Sequence, residues 1–251
     1  MFINMPSSFP HDKFHEFGKH AAEFLPGLLS DQHLSDPLNR ADHFYRAWMA
    51  VCYRYRTCTE CNEEFKALHI NAPDLWRECN SDEEHAYKLG RCLYTFFTNG
   101  LSVFESLGFC LYFVGGAIRP GDFPYMGKPK QITLKATSGA FTAAFPQTSI
   151  TRGLVELPQK AEFNRIEEIR NILAHRLIGR RSVRSYGILN SDGTSTHTRE
   201  DVLNLLGSDA EPSFDEELIQ RHLDAITSLL TSLVEASLEF AKSNKPVQRV
   251  K

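Results

Sequence analysis

The chain has no Gly-x-x-x-x-Gly-Lys-Ser/Thr loop, no Rossmann glycine pattern, no Gly-x-Ser-x-Gly elbow and no His-Glu-x-x-His. P-loop enzymes, dinucleotide-binding enzymes, α/β-hydrolases and zincin proteases are therefore without support, because each needs its motif to place the reacting atoms. Internal repeats and low-complexity tracts are also missing. The opening stretch "MFINMPSSFPHDKFHEF" turns polar at once, where a secretory leader would run from basic into apolar residues. Without secretion disulfides are not expected, so Cys52, Cys58, Cys61, Cys79, Cys92 and Cys110 read as reduced thiols in a cytoplasm. The pair in "CTEC" (Cys58 and Cys61) lacks the second pair that a structural zinc site needs and sits in a helical run. Buried thiols are the better reading, and neither a metal nor a cofactor is expected.

Charge of one sign is scarce overall, with a formal net charge of −3, so nothing global points to a polyanion. Its distribution is uneven. Arg119 to Arg184 holds 12 Lys and Arg against 5 Asp and Glu, leaving 16 basic against 26 acidic residues elsewhere. A basic middle on an acidic body is one form an electrostatic footprint for phosphate takes. The longest apolar run, "LSVFESLGFCLYFVGGAI" (Leu101 to Ile118), contains Glu105 and a Gly pair. It barely reaches spanning length, so a buried core helix is expected rather than a membrane segment.

What is present is helix. Asp36 and Pro37 open one from a plausible N-cap, and Phe44, Trp48, Val51, Cys52 and Tyr55 build its apolar stripe. Ser81 caps a second, with Asp82 to Glu84 in its first turn, running to Gly115-Gly116 over roughly 50 Å, with a break possible near Asn99-Gly100. A third runs from about Pro158 to Leu177 with Gly179 as terminator; its buried face is Phe163, Ile166, Ile169, Leu173 and Leu177. The fourth is capped by Ser213 and turns Leu218, His222, Ile226, Leu229, Leu233 and Leu238 inward. A shorter amphipathic helix lies around Lys13 to Phe24. Two segments resist a helical reading. Residues 119–157, with four prolines and four glycines, read as a long loop or small hairpin, and 178–212 alternates weakly around the turn "NSDG". The expectation is one all-α domain over 1–251, an up-and-down bundle of four to five long helices with two irregular or short-hairpin excursions.

Within the third helix, "EEIRNILAHRLIGRR" (Glu167 to Arg181) gathers chemistry. Asn171 and His175 stand one turn apart on a common face, and the long Arg170 side chain can reach the same cleft. An imidazole that titrates near neutrality moves protons, and a guanidinium neutralises charge growing on phosphate. One helix offers one histidine, whereas phosphodiester cleavage uses a base and an acid, so two copies across a two-fold axis are expected. The plain alternatives are Glu167 pairing with Arg170 and a surface histidine bonded to Asn171.

"RNILAH" (Arg170 to His175) resembles the R-N-x-x-x-H signature of the HEPN superfamily. That resemblance implies a helical bundle with the motif on a late core helix. It also implies a metal-independent ribonuclease formed by dimerisation, in toxin–antitoxin, phage-defence or RNA-processing systems. Carried over, Arg170 stabilises the phosphate, His175 transfers the proton and Asn171 positions them. Arg176, Arg180, Arg181 and Arg184 would hold RNA backbone, joined by Lys128, Lys130 and Lys135, unless they are solvated charges at a helix C-terminus. The partners that the resemblance implies are RNA, a second copy and an antitoxin protein. Non-catalytic members of the family make a nucleotide- or RNA-binding or protein-interaction domain the alternative.

Overall fold

Helical spacing of apolar residues, rather than strand alternation, dictates the architecture. In a computed structural model, residues 4–29, 37–70, 81–125, 128–175, 180–189, 193, 195–204 and 215–244 are described. They form an all-α helical bundle of seven helices: α1 (His11–Leu29), α2 (Pro37–Ile70), α3 (Ser81–Ile118), α4 (Leu134–Ala144), α5 (Ser149–Glu156), α6 (Ala161–His175) and α7 (Glu216–Ser243). Among the described residues the only sheet is an antiparallel hairpin, β1 (Arg180–Leu189) with β2 (Ser195–Asn204). The chain divides into two compact units. The first is residues 1–56, 100–164 and 225–251; the second is 57–99 and 165–224.

The first unit is built on aromatic residues. Phe14, Phe17, Ala21 and Phe24 recur at three and four residues and are buried along α1. Phe14 stacks on Trp48 at 5.2 Å between centroids, an approach that Gly18 permits, since a Cβ there would lie 2.9 Å from Trp48 Nε1. The buried Tyr55 hydroxyl is bonded to Ser8 Oγ at 2.8 Å and Thr227 Oγ1 at 2.7 Å, so its burial leaves no polar cost. Phe123, Phe141, Phe145 and Phe240 pack ring against ring at 4.9 to 6.1 Å. Gly115 makes room for Phe123, whose Cζ lies 2.5 Å from where a Cβ would stand. Each such fully buried ring contributes roughly 1.5–3 kcal/mol.

Residues 119–157 are the main departure from expectation. They hold α4, α5 and two short 3-10 turns in place of a loop or hairpin. The Thr133 side chain accepts from the Ala136 amide and caps α4, and that of Thr148 accepts from the Thr151 amide and caps α5. The prolines fall outside both helices: Pro129 opens a 3-10 turn, and Pro146 separates α4 from α5. What read as β-branched strand patches are caps and the buried stripe Thr137, Phe141 and Ala144.

In the second unit the Cys58 thiol donates to the Phe96 carbonyl at 3.4 Å, and Asn62 and Lys66 both donate to Gln220 Oε1, at 2.9 and 2.6 Å. Arg91 pairs with Glu64. Asp215 caps α7 by accepting from the Leu218 amide at 2.7 Å; the expected cap, Ser213, lies outside the described residues, as does Asp36 before α2. Helix α3 runs 38 residues without a break at Asn99-Gly100. Asn99 donates its amide to the Thr95 carbonyl on its own helix, and Gly100 is buried. A part of α3 is long and apolar enough to cross a membrane, and 72% of that window is buried inside the protein, as in a core helix. The second excursion is the hairpin, in register from Arg180 opposite Asn204 to Leu189 opposite Ser195. In its connection Gly193 adopts φ +82°, a conformation that favours glycine.

Candidate functional site

Helix α6 reaches His175, so the backbone that carries Arg170, Asn171 and position 175 is α-helical throughout. The inward face is Phe163, Ile166, Ile169 and Ile172. Ile172 replaces Leu173, which is half-buried, in the expected stripe, and Leu177 lies outside the described residues. The start is later than expected too, because Pro158 belongs to the 3-10 turn Leu157–Gln159. At about 100° per residue the centre of this stripe leaves Asn171 on the opposite side and Arg170 at the flank. Burial follows: Asn171 is exposed and Arg170 half-buried.

The local electrostatics separate the two arginines of α6. Arg165 is held by Glu168 at 2.7 Å, an ordinary (i, i+3) pair. Among the described residues neither Arg170 nor Glu167 makes an ion pair, so the expected tie between them is not formed. An unneutralised guanidinium on a partly open helix flank is available to an external anion. Position 175 is one turn from Asn171, and the His175 side chain lies outside the described residues.

The supporting basic residues are placed differently from the helix end foreseen as their plain reading. Arg180, Arg181 and Arg184 belong to β1, with Arg184 opposite Glu200 in register, and Arg176 lies outside the described residues. Lys128, Lys130 and Lys135 are exposed in the first unit. The five described thiols are chemically quiet, and Cys79 lies outside the described residues. Burial pushes Cys52 and Cys61 up to about 11 and Cys92 to about 12, and raises Cys58 and Cys110 further. Such groups are protonated at neutral pH and are poor nucleophiles or metal ligands. Among the described residues no cluster of three metal-ligating side chains occurs.

Two polar features were not foreseen. A groove of about 520 Å³ in the first unit runs between α5 and α7, bordered by Arg152, Glu156, Lys160 and Ser232, and contains none of the candidate catalytic or RNA-binding residues named from the sequence. The other is Arg40 on α2, which is 7% exposed with its guanidinium 5.3 Å from the Tyr125 ring centroid. Its only sequence signal is a three-residue spacing to His43. No protein family matches this chain, and no curated protein or solved structure matches it significantly.

Proposed function

We propose that the chain is a metal-independent endoribonuclease of the HEPN type that works as a homodimer in the cytoplasm, as a toxin or phage-defence effector. The observation that carries this reading is Arg170, half-exposed and free of Glu167, beside the exposed Asn171 and one helical turn from position 175. The all-α fold with this helix late in the chain supports it.

In the proposed reaction His175 of one copy takes the proton from a ribose 2′-hydroxyl. The 2′-oxygen attacks the adjacent phosphorus, and the bond from phosphorus to the 5′-oxygen breaks. The leaving oxygen takes a proton from the second His175, giving a 2′,3′-cyclic phosphate and a 5′-hydroxyl. The two Arg170 side chains meet the charge on the non-bridging oxygens, where a preorganised cation acts most strongly. Asn171 orients the imidazole, while Arg176, Arg180, Arg181 and Arg184 hold backbone phosphates without reading bases. DNA lacks the 2′-hydroxyl and should survive.

The test is cleavage of a 5′-labelled RNA by the purified chain, with the same DNA sequence beside it. RNA cut to cyclic-phosphate ends, and an Arg170→Ala or His175→Ala chain slower by about 10³-fold, are the expected results. An intact RNA that nonetheless binds would point to the non-catalytic RNA-binding alternative. Variants that cut as fast as the parent would remove these residues from the site.

A further inference from the structure

The groove between α5 and α7 exists because the side chains that border it are small. From Ala225 to Ala236, about 16 Å along α7, the helix turns Ser228 and Ser232 towards α5 beside Leu229 and Leu233. Gly153 faces them from α5, and a Cβ there would lie 3.0 Å from Leu233 Cδ2. The result is a trough of about 520 Å³ with Leu157, Leu229 and Leu233 as its floor. Leu157 and Leu233 are buried, while Leu229 and the two alanines are half-exposed. Covering the open part of this apolar floor is a source of binding free energy.

The wall above the floor carries charge of alternating sign, in chain order Arg152, Glu156, Lys160 and Glu162. All four residues are exposed. Arg152 and Glu156 stand one turn apart on α5, a spacing that favours pairing. Yet among the described residues none of the four side chains makes an ion pair or a hydrogen bond. The α7 wall is uncharged among the described residues, and its Ser232 hydroxyl donates to the Ser228 carbonyl of its own helix at 3.1 Å.

This pattern discriminates between occupants. Two cations and two carboxylates sum to zero, so a nucleic-acid strand gains at two positions and loses at two. A small zwitterion answers one neighbouring pair and leaves most of the trough unfilled. A helix answers the whole length. Its flank can place opposite charges at one-turn intervals, its apolar face covers the leucine floor, and small residues let axes approach to roughly 8–10 Å. We infer that the groove between α5 and α7 docks an amphipathic helix of a partner protein, with acid, base and acid at four-residue spacing set against Arg152, Glu156 and Lys160. That series reads the same in both directions, so the match does not depend on the orientation of the helix. The groove shares no residue with the α6 motif and stands whether or not the chain cleaves RNA.

The experiment is fluorescence anisotropy of the full chain with labelled peptides of about 18 residues, long enough to be helical in water. Both share one leucine and alanine face. The first carries Glu, Lys and Glu at four-residue spacing along its flank, the second Lys, Glu and Lys. The first should bind with a Kd on the order of 10 µM, and the second about tenfold more weakly or worse. Ser232→Phe, at an exposed position that leaves the core intact, fills the trough and should abolish binding. Glu156→Lys should weaken the first peptide about tenfold and bind a Glu, Glu, Glu peptide more tightly than the parent does. Damage to the fold cannot produce that rescue. His175→Ala should bind the first peptide as the parent does. Equal binding of the two peptides, or none at about 1 mM, would overturn the inference. So would a single-stranded RNA, or a second copy of the chain in sedimentation, whose association Ser232→Phe abolishes, since that molecule would then be the occupant.

Discussion

Among the described residues neither Arg40 nor Arg170 pairs with a carboxylate, yet the fold treats them oppositely. Arg40 is largely buried in the first unit with its guanidinium over the Tyr125 ring, whereas Arg170 stands half-open on the flank of α6, away from its buried isoleucines. Burial of the first costs free energy that its contact with the Tyr125 ring partly offsets. The open one costs nothing while it waits, because water solvates it. A third basic residue, the buried His222, shows the remaining solution. Desolvation, aided by Arg165 and Arg221, lowers its pKa to about 4, so it sits neutral with its ring edge-on to Phe97 at 5.1 Å. Burial alone therefore does not mark a functional cation; what matters is whether the group can shed its charge.

The comparison breaks most decisively at Arg170. Its replacement by alanine should slow RNA cleavage by about 10³-fold while Tm moves by no more than about 2 °C, because nothing described depends on it. A large loss of stability instead would make Arg170 a structural residue. The opposite behaviour is expected from the aromatic wall of the first unit. Phe123→Ala should destabilise the chain by about 3–5 kcal/mol in urea denaturation, since the ring fills the space that Gly115 leaves and contacts Phe141 at 5.2 Å. A loss under about 1 kcal/mol would show that this wall is loosely packed.

His222 sharpens the point through pH. Its folded pKa of about 4 lies below the ordinary 6.5, so the unfolded chain binds the proton more readily. Its contribution is complete above about pH 6.5 and is lost as pH falls from there towards 4, a total on the order of 2–3 kcal/mol. Denaturation at pH 7.5 and 4.5, compared between parent and His222→Leu, should show the steeper fall in the parent. Equal slopes would mean that His222 is protonated in the fold. The smallest effect is expected at the cap of α7. Asp215→Ala leaves the Leu218 amide without its acceptor and should cost about 1 kcal/mol, whereas Asp215→Ser should recover most of it.

Much of the helical frame was legible. Periodicity located the long helices, and α2 and α3 begin at Pro37 and Ser81, where proline and the acidic first turn indicated a start. The excursion at 119–157 was misread because proline and threonine carry two meanings. Thr133 and Thr148 cap helices, and the same letters in isolation suggest strands and loops. The α6 stripe was off by one position, Ile172 for Leu173, since a 3.6-residue repeat allows either neighbour until packing chooses. The candidate site was legible as a list of residues, but the release of Arg170 from Glu167 was not. Both partners stand at pairing distance in sequence, and only side-chain placement decides whether they meet.

By itself the sequence determined that the chain is helical, where its amphipathic faces run, and that an arginine, an asparagine and a histidine share two turns of one helix. Those properties depend on spacing along the chain, and spacing is local. Only the tertiary structure decided that Arg40 lies over the Tyr125 ring, that His222 is neutral, and that residues 119–157 hold two helices. Each of these depends on which distant groups exclude water from a given atom, and desolvation is set by packing rather than by order along the chain.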